Sequence, residues 1–262
     1  MEQEKKPAEG SAISSGTGLS AAKPKLTPAW QMFEGSVKIW WANLKKFAML
    51  YVWGFAFALI PLAAGLAFFG LNQITGLRAN IFFSILSFLV FVAAFLLIIY
   101  FTTRSYIGMF LLVKDDYVGQ ERKIFKETKK WFWPYIGLTL LTTLFIILWT
   151  CLLIIPGIIF SVFYSFAVYA MFFEDKRGMA AIKRSVQLVK KYWWAVFGRV
   201  CLLCLIAWAF MVIISAPLSA VAEDSLFFSI WNAIVQVINI LVGPIALIFS
   251  FQMYRDLVKI KK

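Results

Sequence analysis

Apolar stretches about twenty residues long, separated by short polar segments, dominate the chain after residue 46. A helix needs about 20 apolar residues to cross the hydrocarbon core of a bilayer, which is about 30 Å thick. The stretches divide at that length into six predicted transmembrane spans, at 47–70, 81–103, 135–155, 157–173, 196–217 and 226–254. The pattern therefore predicts an all-α, polytopic integral membrane domain over residues 27–262.

Three segments that precede spans place apolar and basic residues on different sides of a helix. In the first segment Trp30, Phe33 and Val37 share one face, while Lys38 and Lys45 fall elsewhere. Basic amphipathic helices of this kind lie in the membrane interface. The predicted interfacial helices cover residues 28–46, 120–133 and 178–194, and the first begins with Thr27 as its N-cap and Pro28 at its first position.

The interfacial segments can be aligned with one another by their apolar faces. The aligned positions are Phe33, Phe125 and Ile182 and, three residues further on, Ser36, Thr128 and Ser185. The middle segment matches less well, because Lys129 then falls on the apolar face. The alignment predicts three repeats of a surface helix plus a membrane hairpin. The alternative is that any polytopic protein carries basic amphipathic segments before its spans.

Composition and charge agree with a membrane location. Hydrophobic residues make up 62% of the 262 residues and charged residues 15%, whereas soluble domains have about 25% charged residues. The net charge is +13, and nearly all basic residues flank the predicted spans on one side. Arg78 lies on the opposite side and Arg104 inside a span. The positive-inside rule makes the basic side cytoplasmic. We therefore expect a multi-pass protein of the bacterial plasma (inner) membrane with N- and C-termini in the cytoplasm.

The first 26 residues are polar and contain no apolar run of signal-peptide length, so we expect a disordered cytoplasmic tail. Prolines and a neighbouring glycine interrupt the apolar stretches. We expect helix breaks at Pro61, Pro156, Gly157, Pro217 and Pro244, with a tight turn between two spans at Pro156 and Gly157.

A family resemblance rests on three blocks of the sequence. They are LIIPGI at 153–158, FYSF at 163–166 and GMAAIKRSVQLVKKYWW at 178–194, with the acidic residue Glu174 between the last two blocks. These blocks resemble the signature of bacterial six-span proteins, namely the YciC-like proteins and the membrane domain found beside glycerophosphoryl diester phosphodiesterases. The resemblance implies a membrane module. In the phosphodiesterase relatives the chemistry belongs to a separate barrel domain, so the resemblance argues against carrying that activity over.

The predicted sixth span contains three amides at helical spacing: Asn232, Gln236 and Asn239. Amides that face lipid cost free energy, so we expect this face to point into the bundle. It forms either interhelical hydrogen bonds or a polar patch for a headgroup or small solute.

Basic residues beside the interfacial tryptophans are candidates for contact with anionic lipid headgroups or, alternatively, for anchoring and topology alone. They are Lys45, Lys46, Lys183, Arg184, Lys190 and Lys191, to which we add Arg104, a residue that could also snorkel to the interface. The chain has no histidine and three cysteines, and Cys201 and Cys204 lie within an apolar span. We expect no catalytic residue, no metal site and no cofactor.

These observations favour a non-enzymatic membrane protein that organises the membrane or docks a partner, contacts anionic lipid through its basic helices and does not bind nucleic acid. A first alternative is a transporter or lipid-translocating protein that uses the amides of the sixth span. A second alternative is a membrane subunit that serves a separate lipid hydrolase. The residues identify no protein partner.

Overall fold

The computed structural model describes residues 26–74, 81–221 and 225–261, which form helices and no strand. The helices are α1 (Ala29–Ala42), α2 (Leu44–Ile74), α3 (Ile81–Lys114), α4 (Glu121–Leu152), α5 (Ile154–Tyr164), α6 (Ala167–Glu174), α7 (Met179–Val189), α8 (Trp193–Ser215) and α9 (Leu226–Lys261). A short 3-10 helix, Ala216–Ala220, follows α8. The predicted all-α class is confirmed. The predicted tail, apart from Leu26, lies outside the described residues, as does Arg78.

Five helical segments are long and apolar enough to cross a membrane. They are Ile85–Lys114, Glu121–Leu152, Ile154–Glu174, Trp193–Leu218 and Leu226–Lys261. Long apolar helices of this kind identify a membrane protein. The remaining predicted span, residues 47–70, falls within the 31 residues of α2.

The buried core lies at one end of the helix bundle. Fully buried side chains cluster in the last turns of three helices, including Met109 of α3, Met171 of α6 and Met253 of α9. The aromatic ring of Phe110 stacks on that of Phe172 at 5.0 Å, and the ring of Tyr169 lies 5.7 Å from that of Tyr254. By contrast, the most apolar stretch of α8 buries none of its residues inside the chain. We call the packed end the basic end, because the lysines and arginines of residues 114–130, 176–191 and 255–261 gather there.

Each predicted interfacial segment packs against a helix that ends at the basic end. α1 packs along α9, the first turns of α4 pack against α3, and α7 packs against α5 and α6. The three aligned residues Ser36, Thr128 and Ser185 are all fully buried. The Ser185 hydroxyl donates to the Phe163 carbonyl at 2.6 Å and accepts from the Phe166 amide at 3.1 Å.

The helix boundaries differ from the predicted ones at three places. α1 ends before Asn43, so Lys45 and Lys46 belong to the first turns of α2 rather than to the interfacial helix. α4 is one helix that continues through Pro134, and it joins the second interfacial segment to the span that follows. α7 ends at Val189, ahead of a turn that leads into α8. Hydropathy locates apolar stretches, whereas helix ends depend on local capping, which accounts for these differences.

The predicted N-cap at Thr27 is also corrected. The backbone amide and hydroxyl of Thr27 both donate to the Asp256 carboxylate of α9, and Pro28 occupies the N-cap position without a side-chain cap bond. The Thr27 carbonyl accepts a hydrogen bond from the Arg199 guanidinium at 2.9 Å. The start of α1 is therefore fastened to α8 and α9.

Only some of the predicted helix breaks occur. Pro217 follows the end of α8 as expected, but α2 continues through Pro61 and α9 through Pro244. A helix in lipid tolerates proline because neighbouring groups satisfy the freed backbone atoms. Close to Pro244, the Trp40 indole donates to the Leu241 carbonyl at 2.8 Å.

The turn predicted at Pro156 and Gly157 lies instead at Leu153, which is extended with φ −162°. Pro156 falls in the first turn of α5, where a missing N–H costs no helical hydrogen bond. Gly157 allows α5 to approach α4, because a Cβ atom there would lie 2.3 Å from the Thr150 hydroxyl.

Candidate functional site

Four of the candidate lysines are exposed, and three of them lie close together in the chain. Lys183, Lys190 and Lys191 are exposed on α7 and the turn after it. Trp194, next to them in the chain, is 78% exposed. A group of lysines beside an exposed tryptophan is the arrangement that suits a membrane surface with anionic headgroups.

The neighbouring Arg184 has a different environment from these lysines. Its Nε donates to both oxygens of the Glu174 carboxylate, at 2.9 and 2.8 Å. The Tyr254 hydroxyl donates to the same carboxylate at 2.9 Å, and Lys176 lies 3.1 Å from it. Glu174 therefore links α6, α7 and α9 at the basic end, and Arg184 is a structural residue rather than a headgroup ligand. The sequence pointed to Glu174 only as part of the family resemblance and did not indicate Tyr254, because residues 80 positions apart carry no shared local signal.

Of the two candidate lysines at the start of α2, one is exposed and the other is bound within the chain. Lys45 is exposed, whereas Lys46 is half-buried and its ammonium donates to the Tyr117 carbonyl of the loop between α3 and α4. Burial and the neighbouring Asp116 raise the pKa of Tyr117 to about 12, so this side chain is neutral at physiological pH. Lys46 therefore fastens the loop to α2, and Lys45 stays available to lipid.

Arg104 neither snorkels nor points into lipid. Its guanidinium donates to the Thr128 hydroxyl at 2.8 Å and to the Phe125 carbonyl, and it lies 4.3 Å from the centre of the Phe125 ring. A weaker contact at 3.4 Å reaches the Tyr100 hydroxyl. The predicted headgroup contact is therefore replaced by a tertiary contact between α3 and α4. It uses Thr128, one of the three aligned buried residues.

The predicted polar face of the sixth span does not lie inside the bundle as a unit. Asn232 and Gln236 are exposed, and only Asn239 is half-buried. The expectation that all three amides point inward is wrong, because α9 makes close contact with the other helices mainly in its second half. The buried residues of α9 run from Val235 and Pro244 to Leu257.

Asn239 does line a cavity of about 430 Å³ between α2, α3 and α9. The polar residues Tyr51, Thr102, Ser105 and Tyr106 share its wall, and Gly243 and Pro244 contribute its α9 side. None of the lining residues is charged. The cavity could hold a neutral polar group or part of a lipid, and it is a site that the sequence indicated only through Asn239.

A second cavity, of about 620 Å³, lies between α5 and the turn that connects α7 to α8. One wall is apolar and consists of Ile155, Ile158, Ile159 and Phe163; the other consists of residues 190–195, including both lysines and both tryptophans. The Trp193 indole donates to the Ile159 carbonyl at 3.3 Å and connects the two walls. Lysine ammonium groups beside an apolar wall match the two ends of a phospholipid.

Within residues 26–74, 81–221 and 225–261, no three side chains among His, Cys, Asp and Glu are grouped so as to hold a metal ion. The three cysteines are free thiols.

The fold and the exposed apolar helices define this chain as an all-helical membrane protein. Residues 131–257, which run from α4 to α9, match the family described as a domain of unknown function (DUF7847). The matched region contains the exposed lysines of α7, the Glu174 cluster and the α4 to α5 turn. No curated protein and no solved structure matches the chain.

Proposed function

We propose that this protein is a non-enzymatic membrane module that holds anionic phospholipid at its basic end and so organises the adjoining membrane or docks a partner there. The observation that carries the proposal is the separation of the basic residues into two groups. Arg104, Arg184 and Lys46 are engaged inside the fold, whereas Lys183, Lys190 and Lys191 are exposed beside Trp194.

Within the described residues, the side chains of Lys183, Lys190 and Lys191 form no hydrogen bond or ion pair that would account for their grouping. Basic residues near a membrane surface contribute about 1 kcal/mol each to the binding of anionic lipid. The apolar wall of the 620 Å³ cavity offers a place for an acyl chain next to these charges. The DUF7847 match supplies no activity, so the proposal rests on the geometry.

We expect the triple variant Lys183→Gln, Lys190→Gln, Lys191→Gln to lose preference for anionic lipid. The measurement is the association of spin-labelled phosphatidylglycerol relative to spin-labelled phosphatidylcholine, by electron paramagnetic resonance of the full chain in phosphatidylcholine vesicles. Since about 1 kcal/mol is lost per lysine, affinity at the adjoining lipid site should fall about fivefold for each one removed.

The matched control replaces three lysines of the N-terminal tail, Lys5, Lys6 and Lys23, with glutamine. It changes the net charge by the same amount but leaves α7 intact. An equal loss of preference in the control would show that net charge alone selects the lipid, and an unchanged preference in the α7 variant would refute the proposal.

We further propose that the apolar segments form three hairpins inserted from the cytoplasmic side of a bacterial inner membrane, with both termini in the cytoplasm. The positive-inside distribution of the basic residues supports this orientation. Three related units are supported by the shared burial of Ser36, Thr128 and Ser185, and by the packing of each surface segment on a helix that ends at the basic end. The resemblance to YciC-like membrane proteins stays a prediction.

A second candidate function is lipid translocation, which the 430 Å³ cavity beside Asn239 favours. This candidate predicts that the reconstituted full chain exposes a fluorescent phospholipid of the inner leaflet to external dithionite, and that Asn239→Leu slows this exposure. Asn232→Leu, at an exposed amide outside the cavity, is the matched control. Vesicles in which the wild type leaves the inner-leaflet lipid protected would exclude this function.

A further inference from the structure

The hairpin formed by α4 and α5 differs from the other two hairpins at its tip. A single residue, Leu153, separates the two helices. The segment LLII at 152–155 forms the tip, and its four side chains are 64–70% exposed. The sequences that connect α2 to α3 and α8 to α9 contain Thr, Arg, Asn, Ser, Glu and Asp, as expected for loops in water. The α4 to α5 tip has no polar residue.

The tip also lies close to residues that belong at the membrane surface. The Trp193 indole contacts the Ile159 carbonyl, and Lys190 and Lys191 line the same cavity as Ile155 and Ile158. Ile159 follows Ile154, the first residue of α5, by five residues. At 1.5 Å per residue this is a distance of about 8 Å. The tip therefore extends only a short way beyond the lysines.

The short distance between the tip and the level of Lys190 and Lys191 is incompatible with a complete crossing by α5. A hairpin that crosses would place its tip and the two lysines on opposite sides of a hydrocarbon core about 30 Å thick. The lysines themselves belong at the surface, since each would cost about 2.5–3.5 kcal/mol at the bilayer centre. α8 starts immediately after them and has 23 residues, which is long enough to cross from that level.

We propose that the α4 to α5 hairpin is re-entrant: its apolar tip ends within the acyl chains of the leaflet whose surface carries Lys190 and Lys191. The partner of this exposed surface is the lipid hydrocarbon. Four of the six predicted spans then cross completely, and both termini remain on the same side. This inference rests on the proposed position of the α7 lysines at the membrane surface.

Part of the backbone at the tip is hydrogen-bonded within the chain. A turn in hydrocarbon must satisfy its own polar groups. The Leu153 amide donates to the Trp149 carbonyl at 3.1 Å, and the Gly157 amide donates to the Leu153 carbonyl at 3.2 Å. Pro156 removes one of the N–H groups that the start of a helix leaves without an intrahelical partner. The Thr150 hydroxyl donates to the Ile146 carbonyl of its own helix.

The native Cys151, which is exposed next to the tip, provides a direct test. In the full chain with Cys201→Ser and Cys204→Ser it is the sole thiol. Control chains without native cysteines carry Val118→Cys, in the loop between α3 and α4, or Ser225→Cys, just before α9. The measurement is labelling by a membrane-impermeant maleimide, applied to each side of oriented membrane vesicles. We expect each control to label from one side, and Cys151 to react at least tenfold more slowly from both sides until the membrane is dissolved in SDS.

Labelling of Cys151 from the side that labels Ser225→Cys, at a comparable rate, would show a complete crossing and overturn the proposal. Labelling from the side that labels Val118→Cys would place the tip in water and overturn it as well. A spin label on Cys151 gives a second readout. In hydrocarbon the label collides often with dissolved oxygen and rarely with a polar nickel chelate. Shielding of the thiol together with lost lipid selectivity would refute the proposed lipid contact while leaving the re-entrant hairpin intact.

Discussion

Replacement of Gly54 by alanine is expected to destabilise the protein strongly, although alanine is the better helix former. A Cβ atom at this position would lie 1.8 Å from the Ser105 hydroxyl oxygen and 2.9 Å from the Ser105 Cβ. Overpacking of this kind costs about 1–3 kcal/mol, and each 1 kcal/mol shifts the melting temperature of a chain this size by about 2–4 °C. We expect the temperature at which half of the protein remains monodisperse in detergent to fall by about 5 °C.

The glycine in α8 supplies the matched control. A Cβ atom at Gly198 would meet nothing within 4 Å, so Gly198→Ala should leave the temperature unchanged or raise it slightly. The double variant Gly54→Ala, Ser105→Gly should recover part of the loss by removing the clash. If Gly54→Ala behaves like Gly198→Ala, the close contact between α2 and α3 at this point is wrong.

Replacement of Arg104 by methionine is expected to have the second large effect. Methionine keeps an apolar stem but loses the hydrogen bonds to the Thr128 hydroxyl and the Phe125 carbonyl. Hydrogen bonds that involve a charged group contribute about 1.5–3 kcal/mol each. Because Arg104 is half-buried and partly solvated, we expect a loss below the sum of two such bonds, about 2–4 kcal/mol, measured by the same heating experiment. Arg104→Lys should restore little, because a lysine cannot donate in the planar fork that these two acceptors use.

The control for Arg104 is Arg255→Met, which removes an arginine that is exposed on α9. It should leave stability nearly unchanged. If Arg104 instead served as a headgroup ligand, the opposite pattern would result. Arg104→Met would then keep its stability and lose selectivity for spin-labelled phosphatidylglycerol, and the internal role assigned to this residue would be refuted.

The helical class and the apolar segments could be predicted from the sequence, because a helix in lipid needs about twenty apolar residues regardless of its neighbours. The sequence also aligned Ser36, Thr128 and Ser185 with one another, and all three are buried. Whether a proline breaks its helix could not be predicted from the sequence. Pro61 and Pro244 lie inside continuous helices, and a helix in lipid tolerates proline where neighbouring groups can satisfy the freed backbone atoms.

The candidate site was only partly predictable for a related reason. Lys183 and Arg184 are neighbours on the basic side of an amphipathic helix, and the sequence alone does not distinguish their roles. Arg184 differs because α6 and α9 bring Glu174 and Tyr254 to it, and such tertiary contacts leave no periodic signal. The amides show the same limit, since Asn239 reaches a cavity while Asn232 and Gln236 are exposed.

The proposed lipid contact is tested most directly by the lipids that stay on the wild-type chain. The protein would be reconstituted in vesicles with equal amounts of phosphatidylglycerol and phosphatidylcholine, released in mild detergent and weighed intact by native mass spectrometry. We expect the retained lipid to be mainly phosphatidylglycerol, and this excess to disappear in the variant that lacks Lys183, Lys190 and Lys191. Retention of the two lipids in equal amounts by the wild type would contradict the proposal that the basic end holds anionic phospholipid.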